Sequence, residues 1–105
     1  NHLSKSESDV ESIAAASTVA CDRTDQCRLE AGELVDAVAA GRWNWDQAIE
    51  LANIVAGTHA GRSDADERTV FKSVGLAVED VAMAAELFTR ARDRGVGQPI
   101  PLDVD

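Results

Sequence analysis

Apolar residues recur along this chain with two different periods, and the switches between them outline its elements. In residues 6–16 the apolar positions Val10, Ile13, Ala14 and Ala15 share a helical face, behind Ser8 and Glu11 at capping-box spacing. The apolar run Thr18–Cys21 is too short for a helix and reads as a buried strand that ends in Asp22. Helical spacing returns over residues 24–40, with Leu29, Leu34, Val35 and Val38 inward and an interruption or bend expected near Gly32. Gly41 then stands where a left-handed residue closes a helix. Trp43 and Trp45 flank Asn44. Tryptophans at this spacing suit a ligand platform, but packing of a loop onto the next helix is their commoner use and is the expectation here. Residues 46–55 are predicted as a further helix, with Ala48, Ile49, Ala52, Ile54 and Val55 inward and Gly57 beyond its end.

Residues 58–67 form a loop rich in Gly, Ser and Asp. Thr69, Val70 and Phe71 are β-branched or aromatic and predict a short buried strand. The Ser73-Val74-Gly75 turn leads into a helix over residues 76–94, with Leu76, Val78, Val81, Ala84, Leu87 and Phe88 as its apolar stripe. Glu79 and Asp80 in its first turns, and Arg90, Arg92 and Arg94 in its last, match the helix dipole. Ser73 is the expected N-cap, and such a start presents unpaired N–H groups to whatever lies before it. After Gly95, residues 97–105 read as an extended tail. Strand alternating with helix predicts the α/β class with a parallel sheet. Two strands are too few for such a sheet, so its remaining strands are expected outside this chain.

Composition narrows the partners. The net charge is −9, from 19 acidic against 10 basic residues, and Lys5 and Lys72 are the only lysines. No basic stripe is available to meet phosphates, which argues against nucleic acid or an anionic membrane as partner. No apolar run is long enough to span a bilayer, and no signal peptide is recognisable. Cys21 and Cys27 have neither a redox nor a zinc spacing, so reduced thiols in a cytoplasmic protein are the simpler expectation over a disulfide. His2 and His59 have no second ligand at helical spacing, and no metal is expected.

Four segments in order carry a resemblance to a known family. They are NHLSKSESD from Asn1, STVACD from Ser17, EAGEL from Glu30, and TVFKSVGLAVEDVAMAAEL from Thr69, the last preceded by Gly61-Arg62. Together they resemble the C-terminal portion of the ornithine cyclodeaminase/μ-crystallin family. The resemblance implies the C-terminal part of a Rossmann-type NAD(P)-binding domain in residues 1–58. Residues 59–105 would form a crossover strand, long helix and tail towards a substrate and dimerisation domain. It implies NAD or NADP as cofactor, a small amino acid or cyclic imine as substrate, and a homodimer at full length. Asn1 falls where the cyclodeaminases carry an acid–base Asp. An amide cannot accept and return a proton, which shifts the expectation towards an imine reductase or amino-acid dehydrogenase.

The same resemblance places Lys5 at the cofactor edge, with a solvated loop lysine as the equal alternative. Ser73 is placed against the nicotinamide side of the cofactor, and Val74 in the lining of the substrate pocket. Lys72 reads as a flanking residue, because the family's carboxylate-binding Lys and Arg belong to its N-terminal part. Glu79 and Asp80, adjacent on a helix, point in different directions and are read as dipole residues, not a catalytic pair. The Gly-rich pyrophosphate fingerprint is absent from these residues, so the isolated chain is expected to be inactive. The alternative is a non-catalytic ligand-binding or interaction protein on the same scaffold.

Overall fold

A computed structural model of the chain describes residues 6–102. The elements are α1 (Val10–Ala14), β1 (Thr18–Cys21), α2 (Thr24–Glu30), α3 (Gly32–Ala39), β2 (Ala48–Glu50), α4 (Leu51–Val55), β3 (Thr69–Lys72) and α5 (Ala77–Asp93). A 3-10 turn at Trp45–Gln47 precedes β2. The chain divides into two compact units, Asn1–Gly75 and Leu76–Asp105. No helix among the described residues is long and apolar enough to cross a membrane.

The first unit is built on a three-stranded parallel sheet of order β2-β1-β3, as the alternating pattern requires. Cys21 at the end of the central strand pairs with Glu50 on one side and Lys72 on the other. One face of the sheet carries the core: Ile13 of α1, Val19 and Cys21 of β1, Cys27 of α2, Leu34 and Ala37 of α3, and Trp43. Trp43 is buried and meets Trp45 edge to face, with ring centroids 5.1 Å apart, and the Arg28 guanidinium lies over Trp45. The tryptophans therefore pack, as the sequence suggests.

Several local expectations are corrected. The cap of α1 is Asp9, whose carboxylate accepts from Ser12 N–H at 2.7 Å, and not Ser8. The helical region expected over 24–40, with an interruption or bend near Gly32, is indeed two helices, broken at Ala31, whose ψ of 87° no helix accommodates. The break changes the buried face, and Leu29, expected inward, is 68% exposed. The helix expected over 46–55 forms only in its second half, Leu51–Val55. Asn44 and Gln47 form a reciprocal capping box around the 3-10 turn. Ala48 then extends, and residues 48–50 join the sheet beside β1. A parallel partner supplies the hydrogen bonds that a third-turn helix would have made, so pairing overrides the local period. The sheet thus has three strands where two were expected. The third, β3, was expected to be buried, but it carries a Phe71 that is 53% exposed.

In the second unit α5 runs for 17 residues, with Leu76 and not Ser73 at its N-cap and no side chain bonding its first N–H groups. Glu79 and Asp80 occupy its first turn, and Arg90 and Arg92 its last. No residue of α5 is buried, and Val78, Val81, Met83, Leu87 and Phe88 all lie more than half exposed.

Candidate functional site

In parallel α/β sheets, ligands bind outside the carboxyl ends of the strands. Here that end gathers Asp22 after β1, Glu50 at the end of β2, and Lys72 and Ser73 at the end of β3. Asp22 organises the group. Its backbone N–H extends the ladder to the Lys72 carbonyl at 3.2 Å. One carboxylate oxygen, Oδ2, accepts from the Ser73 hydroxyl at 2.9 Å, Val74 N–H at 2.8 Å and Gly75 N–H at 3.0 Å. The other, Oδ1, accepts from Arg23 N–H at 2.8 Å and lies 3.7 Å from Cys27 Sγ. Burial pushes the Asp22 carboxyl up. The hydrogen bonds from Ser73, Val74, Arg23 and Gly75 outweigh it, and the group is held below the ordinary carboxylate value.

This corrects the expectation for the Ser73 turn. The Val74 and Gly75 N–H groups do not stand open to a ligand, since an internal carboxylate already fills them. The first N–H groups of α5, by contrast, carry no side-chain cap. Ser73 does not cap α5 either, because its hydroxyl turns to Asp22 and also accepts Gly75 N–H at 3.2 Å. Gly75 closes the turn at a φ of +88°, a left-handed conformation that glycine adopts without cost. The result is a fixed turn that exposes the Ser73 side chain, with Val74 half-buried beside it and packed against the core.

Lys72 is more than a flanking residue. It is buried, and its Nζ pairs with Glu33 at 2.9 Å and Glu7 at 3.0 Å. Burial alone would lower its pKa, but the two carboxylates hold it above the usual lysine value. Glu33 is itself 3% exposed, and its second oxygen has no hydrogen-bond partner among the described residues. The pair ties the EAGEL segment to the TVFKS segment, 39 positions further along the chain. Across the sheet, Glu50 accepts Thr24 N–H at 2.8 Å and satisfies the start of α2, whose own N-cap, Arg23, makes no side-chain bond.

Of the residues singled out from sequence, Ser73 and Val74 lie together at this ligand end. Asn1 and Lys5 lie outside the described residues. Asp22 and Glu33 were missed as parts of the site, although both stand in the segments that carry the family resemblance. The available signal was an acid directly after a buried strand, and another at a helix start that proved to be buried. Cys21 and Cys27 are both free and buried, as expected for reduced thiols. The neighbouring Cys21 sulfur and burial beside Asp22 both drive the Cys27 pKa far up.

A parallel α/β sheet with a built turn at its ligand end is the arrangement of nucleotide-binding enzyme domains. Residues 5–95 match the model of the ornithine cyclodeaminase/mu-crystallin family. The chain belongs to that family. It is 42% identical over 89 residues to a Delta(1)-pyrroline-2-carboxylate reductase of Bacillus cereus, a match covering 84% of this chain and 27% of that protein. Among solved structures it resembles the Thermococcus litoralis Delta(1)-pyrroline-2-carboxylate reductase in complex with NADH and L-proline. That likeness has a TM-score of 0.73 and 32% identity, and covers 93% of this chain and 30% of the other. It also resembles an archaeal alanine dehydrogenase dimer with bound NAD, with a TM-score of 0.65 and 32% identity over the same shares. The chain spans only about a quarter to a third of the length of these relatives.

Proposed function

We propose that this chain is the C-terminal portion of an NAD(P)-dependent oxidoreductase that interconverts a small amino acid and its imine. Cyclic imines of the pyrroline-carboxylate type are the preferred substrate class. Residues 1–58 complete its Rossmann-type domain, and 59–105 run towards a substrate and dimerisation domain. The observation that carries this reading is the Ser73-Val74 turn, held by Asp22 at the carboxyl end of a parallel sheet. Likeness to a reductase solved with NADH and a dehydrogenase solved with NAD supports it. The bound cofactor supplies or receives a hydride; this chain's part is to place its nicotinamide end against the substrate.

The residues fit that end of the cofactor and not its phosphates. The turn's N–H groups are filled by Asp22, and Lys72 is neutralised by Glu33 and Glu7. Ser73 offers an exposed oxygen, and Val74 an apolar wall. Lys5 is assigned to the cofactor edge. Asn1 stands at the acid–base position of the cyclodeaminases, and its amide favours reductase or dehydrogenase chemistry over ornithine cyclisation. The exposed apolar side of α5 fits a helix that is covered by a part of the polypeptide outside this chain or by its homodimer partner. The isolated chain is inactive on this reading, and the complete protein works in the cytoplasm.

The test is to read the frame upstream of Asn1, express the complete polypeptide, and follow NADH or NADPH oxidation with Delta(1)-pyrroline-2-carboxylate and open-chain imines. The expected result is a GxGxxG segment upstream and imine-dependent oxidation of the reduced cofactor. A complete polypeptide that binds the cofactor yet turns over no imine or amino acid overturns the enzyme reading in favour of a ligand-binding protein.

A further inference from the structure

The hydrogen bonds at Asp22 constrain more than the shape of the turn. A serine hydroxyl has one proton to donate and two lone pairs to accept with. An ionised carboxylate can only accept, so the 2.9 Å contact between Ser73 Oγ and Asp22 Oδ2 must use the Ser73 proton. The carboxylate is ionised at neutral pH, since its hydrogen bonds hold it below the ordinary range. Gly75 N–H, at 3.2 Å, takes one lone pair. What remains on the exposed Ser73 side chain is a single acceptor position.

We propose that Asp22 is a positioning residue that fixes the polarity of Ser73, so that its hydroxyl oxygen accepts the amide N–H of the nicotinamide carboxamide. This rests on the assignment of Ser73 to the nicotinamide end of the cofactor. It adds which group of the ring is read, in which direction the hydrogen bond runs, and which residue sets that direction. A carbonyl offered to Ser73 finds no donor; an amide N–H finds an acceptor already aimed. The three donors on Asp22 Oδ2 (the Ser73 hydroxyl, Val74 N–H and Gly75 N–H) also lock the turn, so the acceptor is in place before any ligand arrives.

The probes are NAD+ and its 3-acetylpyridine analogue, in which a methyl group replaces the amide NH2. Dissociation constants for both are measured on the complete polypeptide that carries this chain, wild type and variants. The readout is their ratio, which does not change with the folded fraction. Ser73→Ala is expected to weaken NAD+ about 3- to 10-fold, the scale of one net hydrogen bond, and to leave the analogue unchanged. Asp22→Ala frees the Ser73 proton and is expected to reduce the ratio by a similar factor. Asp22→Asn can keep an oxygen towards its three donors, turning its NH2 to the side of Arg23 N–H and the Cys27 thiol. It should preserve the wild-type ratio at lower stability.

Equal weakening of both ligands by Ser73→Ala overturns the polarity assignment while leaving Ser73 in the cofactor site. No weakening of either ligand removes Ser73 from the site, and with it both readings. A wild-type ratio in folded Asp22→Ala overturns the role given to Asp22. Where Asp22→Ala does not fold, Asp22→Val, which also carries no acceptor for the Ser73 proton but keeps more of the side-chain volume, decides that role: a reduced ratio supports it and a wild-type ratio refutes it.

Discussion

Replacing Lys72 by Met tests the buried ion pair that joins α3 to β3. The substitution keeps the apolar stem and removes the ammonium that lies 2.9 Å from Glu33. At that distance the attraction is about 6 kcal/mol for an effective dielectric of ~20, and desolvation of both groups offsets most of it. The cost of breaking the pair is larger than its net worth. Glu33 is 3% exposed, and one of its oxygens already has no partner among the described residues. Its carboxylate would be left buried and uncompensated, and the expected loss is about 3–5 kcal/mol. Glu33→Leu should cost less, because Lys72 keeps Glu7, whose side chain is largely exposed. The double variant Lys72→Met/Glu33→Leu removes both charges and should return to within about 1 kcal/mol of wild type. Urea unfolding of all four proteins, with the midpoints combined as a double-mutant cycle, measures the coupling. Additive single losses, or a Lys72→Met cost below about 1 kcal/mol, would refute the reasoning.

Asp22 makes the fold sensitive to acid. Its folded pKa lies below the value of about 3.9 that it has in an unfolded chain. Its contribution is therefore complete above that unfolded value and is lost as pH falls through the folded one. Asp22→Asn should flatten the stability–pH curve below about pH 4, and an unchanged slope there counts against the hydrogen-bond set drawn for Asp22. Gly75→Ala should cost about 1–2 kcal/mol through its left-handed backbone alone, since nothing lies within 4 Å of the added methyl. A neutral result in thermal unfolding would mean the turn relaxes. Leu34→Ala, at a fully buried position, should lose about 2–5 kcal/mol by the same measurement, and a loss under 1 kcal/mol would show a core that collapses around the gap. Cys21 and Cys27 should resist a thiol reagent in the folded protein and both react on unfolding; fast native labelling of either contradicts their burial.

The sequence by itself determined what local physics controls. The run Thr18–Cys21 is a strand because it is short, apolar and ended by an acid, and the long stripe with acids first and arginines last is a helix. The strand–helix alternation made the sheet parallel. The family was legible in segment order. Tertiary structure decided the rest. Ala48–Glu50 has helical spacing but lies beside β1, where a ladder of hydrogen bonds outweighs a weak local preference. The outward turn of Leu29 follows from packing two short helices on the core, on either side of the break the sequence marks beside Gly32. Sequence shows Asp22 only as the residue after a strand, and Lys72 only as a charge beside one. Their roles depend on partners 51 and 39 positions away, Ser73 and Glu33. A hydrogen bond or ion pair acts over about 3 Å, and only the folded chain brings those groups within that distance.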